Sequence, residues 1–261
     1  VFNIFFNYKT DSVNEKSKPW IVNNEKHYWF SRSAWSMLAI AKYCMNLKNK
    51  KKINIFIPGY FCNESTTLLR KINSKILYYP INQDGSPDIE YCRKMAKLNK
   101  PDFFLHVHYF GKYTDIDNSV SFIKEYNCLL VEDCAHMLLP NRKNGYKGDF
   151  IFFSPHKFLP IPDGSILLSN PYGPNRIKTE KNDIIKNYTS ISLKYKNRLY
   201  PYYWLLKRII QKLGIYSSLT KNASDNSLIK NNSHSIHKPP MSKLGKKMLN
   251  DIIDDIHKEE R

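Results

Sequence analysis

Long apolar runs are missing from this chain of 261 residues. No stretch reaches the roughly 18–20 residues that a membrane-spanning helix needs, and the N-terminus lacks a signal-peptide pattern. Cytoplasmic residence is therefore the expectation. Paired cysteines are missing as well. The five present (Cys44, Cys62, Cys92, Cys128 and Cys134) are odd in number and scattered, with no C-x-x-C pair. They read as reduced, mostly buried thiols, not as a disulfide framework or a zinc site. No internal repeat is found. Acidic residues are scarce beside basic ones, 23 Asp and Glu against 41 Lys and Arg, giving a formal charge of +18.

A positive excess of that size invites a nucleic-acid reading. Basic residues spread along the whole chain, however, with one dense run at Lys48-Asn-Lys-Lys-Lys52. Lysine, asparagine, isoleucine, tyrosine and phenylalanine are all plentiful, as AT-rich codon usage produces. Codon bias plus attraction to anionic small molecules accounts for the charge better than a dedicated nucleic-acid surface. A hydrophobic content of 42% and an aromatic content of 14% are those of a globular protein. The length suffices for one large core, or a core plus a smaller lobe. The chain starts at Val1 and stops at Arg261 in a helical pattern, so both ends read as cut.

Between about residues 31 and 170 extended and helical periods alternate. Strands are expected at 53–57, 75–79, 103–107, 128–132, 151–153 and 165–168. Helices are expected at 34–47, with Leu38, Ala41 and Met45 on one face, and at 65–72, 89–98 and 117–126. Such alternation predicts an α/β fold, a mostly parallel sheet flanked by helices on both faces. Beyond it, 200–215 reads as a helix docked on the main domain or on a partner subunit, with a membrane-surface helix as the alternative. Residues 217–240 read as a polar loop and 241–260 as a final helix.

In such sheets chemistry collects at the carboxyl ends of strands. Asp133 closes the run Leu129-Leu-Val-Glu132, and Ser154 follows Ile151-Phe-Phe153, three residues before Lys157. One Lys, Asp, His and Ser, each just after a strand, are the parts needed to hold pyridoxal phosphate. The Lys157 amine would form the Schiff base and Asp133 would pair with the pyridinium nitrogen. Glu132 should point to the opposite face. The plain alternative for Asp133 is a helix N-cap. His136 could pack against the ring or hydrogen-bond its phenolic oxygen, or be a structural histidine. Ser33 would place a hydroxyl and backbone N–H groups at a helix N-terminus, a natural phosphate site, with Arg32 adding charge; the plain alternative is a simple cap. S-x-x-K also occurs in serine acyl-enzymes, but the S-D-N and K-T-G partners are missing. His106 and His108 are expected on opposite faces, with no carboxylate or cysteine placed to complete a metal site, so no metal is expected. One of them is expected toward the crevice, with His108 the substrate-side candidate.

Taken together these segments resemble the DegT/StrS family of pyridoxal-phosphate-dependent sugar aminotransferases, over roughly residues 30–170. Ser31-Arg-Ser33-Ala-Trp35 is similar to the family's S-G-T-x-A helix opening, and Ile57-Pro-Gly-Tyr-Phe-Cys62 to its P-x-Y-T-aromatic segment. Val107-His-Tyr-Phe-Gly111 with Asp115-Ile-Asp117 resembles V-H-x-x-G-x-x-x-D-M-D. Glu132-Asp133-Cys-Ala-His136 resembles D-x-A-H, and Gly148-Asp-Phe150 with Ser154-Pro-His-Lys157 the G-D-x-x-x-F-S segment before the Schiff-base lysine. Asp163-Gly164 stands where the family carries an acidic-Gly-Gly group. The chain departs from the pattern at Arg32, where the family has glycine, and at Cys62, where a ring-stacking aromatic is common, leaving Phe61 or His136 to cover that face. Pro239-Pro-Met-Ser242 resembles N-Y-R-M-S without its asparagine and arginine.

The resemblance implies a type I aminotransferase large domain over 30–216, preceded by an N-terminal extension over 1–29. Residues 217–240 would be a loop, and 241–261 a helix leading to a small C-terminal domain that is missing. It implies catalysis by Lys157, cofactor binding by Asp133, His136, Ser154, Ser33, Arg32, Phe61 and Cys62, and a homodimer. The activity implied is transfer of an amino group from an amino-acid donor, usually glutamate, to a nucleotide-linked keto-sugar for surface polysaccharide or a related glycoside. The alternative is a catalytically degenerate member serving as a binding or assembly partner.

Overall fold

A computed structural model describes residues 15–22, 24–112, 114–141, 144–177, 199–212 and 238–259. Its centre is a seven-stranded sheet. The strands are β1 (Lys26–Phe30), β2 (Ile53–Pro58), β3 (Ser74–Tyr79), β4 (Phe103–Val107), β5 (Leu129–Cys134), β6 (Phe150–Phe153) and β7 (Ser165–Ser169). Their spatial order is β1-β7-β6-β5-β4-β2-β3. The five strands from β6 to β3 run parallel, while β7 is antiparallel to both β6 and β1. The helices are α1 (Ser33–Leu47), α2 (Asn63–Thr66), α3 (Ile89–Leu98), α4 (Asp117–Tyr126), α5 (Tyr200–Lys212) and α6 (Lys243–Glu259).

β4 and β5 are buried at every position, as central parallel strands covered on both faces must be. Side-chain alternation then sorts their residues between two cores. Leu105, Val107, Leu129, Val131, Phe150 and Phe152 face α1. Phe104 and Leu130 face the opposite way, toward α3 and α4. α1 is buried over most of its circumference, from Trp35 to Cys44, a far wider apolar surface than the stripe of Leu38, Ala41 and Met45. It lies against the sheet as an internal layer. Asp88 caps α3, its carboxylate accepting from the Tyr91 N–H at 2.9 Å, and Asn127 ends α4 in a left-handed conformation.

The helical stretch expected over 65–72 is a single α-turn, α2, followed by a 3-10 turn at Leu69–Lys71. The sheet also begins earlier than expected. β1 lies inside the segment assigned to an extension and forms the antiparallel edge beside β7. Its pairing partner lies far along the chain. β5 runs to Cys134, so Asp133 belongs to the strand itself. The polar loop expected at 217–240 lies mostly outside the described residues. α5 ends at Lys212 and keeps Tyr202, Tyr203, Leu206 and Ile209 exposed. Among the described residues no helix is long and apolar enough to cross a membrane.

Asp149, fully buried at the head of β6, is the polar rivet of this frame. Its carboxylate accepts from the Leu130 N–H (2.8 Å), the Asn175 N–H (2.7 Å) and the Asn175 Nδ2 (2.7 Å). It therefore ties β5 and β6 to the segment after β7. Asp149→Ala is expected to leave those buried donors unpaired and to lower the unfolding free energy by about 3 kcal/mol, with an unchanged m-value, in urea titration.

Candidate active site

The carboxyl edge of the parallel strands gathers the candidate residues. The chain passes from β2 outward to β3 and then back to β4 on β2's other side, so strand order switches between β2 and β4. Tyr60, Phe61 and Cys62 follow β2, Tyr109 and Phe110 follow β4, Asp133 is the last residue but one of β5, and Ser154 to Lys157 follow β6.

Asp133 pairs in register with Val107 and Phe152 and lies on the α1 face of the sheet. No helix follows it, so it caps nothing. Its carboxylate accepts one backbone hydrogen bond, from Ala135 N–H at 2.8 Å, and is 5% exposed. Burial pushes its pKa up from 3.8 to about 6, against the Ala135 hydrogen bond and electrostatic contributions from Lys157 and His108. Lys157 closes a 3-10 turn over Pro155–Lys157, its N–H donating to the Ser154 carbonyl at 2.9 Å. It is solvent-exposed, yet near enough for its charge to act on Asp133, His136 and His156. Burial and the Lys157 charge together lower the His136 pKa.

Ser154 is fully buried, and its Oγ has no hydrogen-bond partner. A buried hydroxyl in that state is costly unless something else occupies the site. The start of α1 comes to the same edge. Ser33 is the first helical residue rather than the cap; the cap is Arg32, whose side chain makes no capping bond. The N-terminus of this 15-residue helix therefore lacks a side-chain cap from its N-cap residue, and helix N-termini favour anions. Arg32 donates to the carbonyls of Ser31 and Pro162, both at 3.1 Å, and hydrogen-bonds the Tyr200 side chain. Burial lowers its pKa, partly offset by the charge of Asp163.

The segment before α6 closes over this corner. Ser31 N–H donates to the Pro239 carbonyl at 2.8 Å, its Oγ donates to the Lys238 carbonyl, and Phe30 bridges Pro240. Asp163 accepts from the N–H of Ser242 at 3.2 Å and from its Oγ at 2.9 Å. Phe61 packs half-buried on the α1-side core, and Cys62 is exposed at the start of α2. Phe110 stacks on His136, at 5.5 Å between centroids and 21° between planes. Sequence inspection passed over Phe110; its position beside Gly111 in a turn directly after a buried strand was the available signal.

The histidine pair differs from expectation. His106 and His108 are two residues apart, so the pleat sends them to the same side, and their rings lie 4.9 Å apart. His108 is fully buried. Its Nε2 meets Glu132 Oε2 at 2.7 Å, and Cys134 lies in the same cluster, with one ligand-type atom from each residue within 4.8 Å of the others. A carboxylate and a cysteine are therefore placed beside it after all. The carboxylate is already saturated: Glu132 also accepts from the N–H groups of Gly145 (2.9 Å), Lys147 (2.6 Å) and Gly148. A Cβ at Gly148 would lie 2.8 Å from the Phe150 carbonyl, so only glycine lets that amide come so close. Burial acts to raise the Glu132 pKa, but His108 and the backbone amides outweigh it and hold it below its ordinary value. His106, bonded to Ser119 and Thr114 at 2.9 Å each, is driven by burial down to about 3 and is neutral. The cluster is a closed hydrogen-bonded network.

No protein-family model and no curated protein matches the chain. Solved structures do. DesI, in the presence of its TDP-sugar product, aligns at TM-score 0.56 and 14% identity over 93% of this chain and 52% of that one. A DegT/DnrJ/EryC1/StrS aminotransferase from Brucella abortus aligns at TM-score 0.54 and 9% identity, over 88% and 54%. A GDP-4-keto-6-deoxymannose-3-dehydratase, ColD, with bound GDP-perosamine, aligns at 0.54 and 14%, over 92% and 59%. The chain has the fold of these sugar aminotransferases and dehydratases, the type I aminotransferase fold that the sequence motifs resemble. It spans about half the length of the solved structures it matches.

The raised pKa of Asp133 makes a signed prediction. Below pH 3.8 the group is protonated folded or unfolded and costs nothing. As pH rises from 3.8 to about 6 the unfolded chain ionises first, and stability falls. Two units correspond to about 3 kcal/mol lost at neutral pH. Asp133→Asn is expected to raise the urea midpoint of the ligand-free chain at pH 7.5, and the gain should vanish on titration to pH 4.

Proposed function

We propose that the chain is the cofactor-binding part of a pyridoxal-phosphate-dependent aminotransferase acting on a nucleotide-linked keto-sugar, with an amino acid, glutamate by preference, as donor. The observation that carries this reading is Asp133: a buried carboxylate with one hydrogen bond and a raised pKa, at the same carboxyl edge of the sheet as an unpartnered Ser154 hydroxyl and within electrostatic range of Lys157. These residues fit the cofactor. A protonated ring nitrogen would satisfy Asp133, and a phosphate oxygen would satisfy Ser154 and the opening amides of α1.

Bound there, pyridoxal phosphate would supply an electrophilic aldehyde and a ring that takes up an electron pair. Asp133 would hold the proton on the ring nitrogen. Lys157 Nζ would serve as the covalent anchor and would move the proton at the substrate carbon. Ser33, Ser154 and the N-terminus of α1 would bind the phosphate, with Arg32 adding positive charge. His136 would lie against the cofactor, and Phe61 and Cys62 would border the site. Lys157 favours amino transfer over the dehydratase variant of this fold, in which histidine replaces that lysine. The nucleotide sugar would be made for surface polysaccharide or a related glycoside, by a cytoplasmic homodimer.

A second reading, a catalytically degenerate member acting as a binding or assembly partner, rests on the proline pair at 239–240. Pro240 bridges Phe30 beside the phosphate corner, where the family carries a segment serving the neighbouring subunit. The two readings separate experimentally. The aminotransferase reading predicts a yellow protein on addition of pyridoxal phosphate, with borohydride fixing the label on the Lys157 peptide and glutamate discharging the colour. Colour without discharge selects the second reading. A colourless protein with an unmodified Lys157 peptide rejects both.

A further inference from the structure

Tyr109–Gly111 form a 3-10 turn in which Phe110 stands at φ 54°, ψ 24° and Gly111 at φ 69°, two left-handed residues in succession. A bulky aromatic rarely takes that conformation and keeps it only where its surroundings enforce it. Phe110 is nevertheless 71% exposed, so the burial of its own ring is not what holds it there. What the conformation achieves is the aim of its backbone N–H, which donates to Nδ1 of His136 at 3.3 Å. The Phe110 ring lies parallel over the imidazole, and Tyr109 approaches it at 6.4 Å and 55°. Gly111 presses on the same residue, since a Cβ there would stand 3.3 Å from the His136 carbonyl.

A backbone N–H only donates, so Nδ1 has to offer its lone pair. Neutral imidazole carries one proton, which then belongs on Nε2, at the far edge of the ring. We propose that the Phe110–Gly111 corner is a positioning device that fixes His136 as the Nε2–H tautomer, so that the imidazole meets a ligand in the crevice as a hydrogen-bond donor to an oxygen anion. The lowering of the His136 pKa by burial and by Lys157 keeps the ring neutral at physiological pH, as the device requires. The naming of the oxygen, the phenolic oxygen of the pyridoxal ring, rests on the function proposed above; the tautomer does not.

Histidine-selective 15N labelling of the whole chain without added cofactor tests this directly. Long-range proton–nitrogen correlation at pH 7.5 should show Nδ1 of His136 unprotonated and Nε2 protonated, the signals being assigned by their loss in His136→Gln. Gly111→Ala strains a positive φ and crowds the His136 carbonyl. It should convert the single tautomer to a mixture, while the signals of buried His106 and His108 stay in place as a check on folding. Phe110→Pro, which removes the donating N–H, is expected to give the same mixture if Gly111→Ala does not fold. A wild-type ring that is chiefly Nδ1–H, or doubly protonated, overturns the proposal; so does a tautomer unmoved in the folded variants. Visible absorbance on adding pyridoxal phosphate reports on the cofactor separately, and its absence beside a fixed tautomer rejects the cofactor and leaves the corner standing.

Discussion

Two consecutive carboxylates lie near the end of the central strand, and strand geometry forces them apart. Glu132 enters one face of the sheet and Asp133 the other. Glu132 receives a histidine and three backbone amides, so its charge is held at little net cost. Asp133 receives one amide and lies almost as deep. Burial of a charge without compensation is the least favourable thing a strand end can do. On the Asp133 side the imbalance remains in the ligand-free chain as a raised pKa, and it specifies the complement: a cationic or protonated group brought into the crevice.

The surrounding structure reads as preparation for such a guest. Sheet order reverses between β2 and β4, the kind of switch point at whose carboxyl edge open α/β sheets bind ligands. The antiparallel return of β7 brings Asp163 and Gly164 back to that edge, where Gly164 N–H donates to the Ser31 carbonyl and fixes the start of α1. The segment before α6 is pinned to Ser31 and to Asp163 from the other side. The result is an uncapped helix N-terminus and a buried, unpartnered serine hydroxyl on the same edge as Asp133. Positive potential lies at one end of the site and negative at the other.

Much of this was legible from the residues. β4, α3 and α4 begin and end where the periodicity places them, because each is a short amphipathic or fully buried run bounded by a clear breaker. The order of strand ends carrying Asp133, Ser154 and Lys157 was legible for the same reason. β1 was not, since its partner β7 lies more than a hundred residues away and only that pairing makes it a strand. The helix expected at 65–72 was misjudged because a few local turns satisfy the same apolar spacing. The parity of His106 and His108 needed only the two-residue period of a strand, whereas the partners Glu132 and Cys134 come from the neighbouring strand. Phe110 was missed because its partner, His136, belongs to another loop.

Alternation of apolar runs, breakers and polar strand ends is a local property of the chain, and it alone determined the α/β class, the parallel core and the candidates Asp133, Ser154 and Lys157. Which carboxylate is neutralised and which is left wanting was decided only by tertiary structure, through Gly145, Lys147 and Gly148 reaching back to Glu132. The same holds for Arg32 displacing Ser33 as the helix cap and for the hydrogen bond from Phe110 to His136. Local sequence can place a polar side chain at a strand's end, but its protonation and its partners depend on desolvation and on donors supplied from distant parts of the chain, which exist only once the layers have packed.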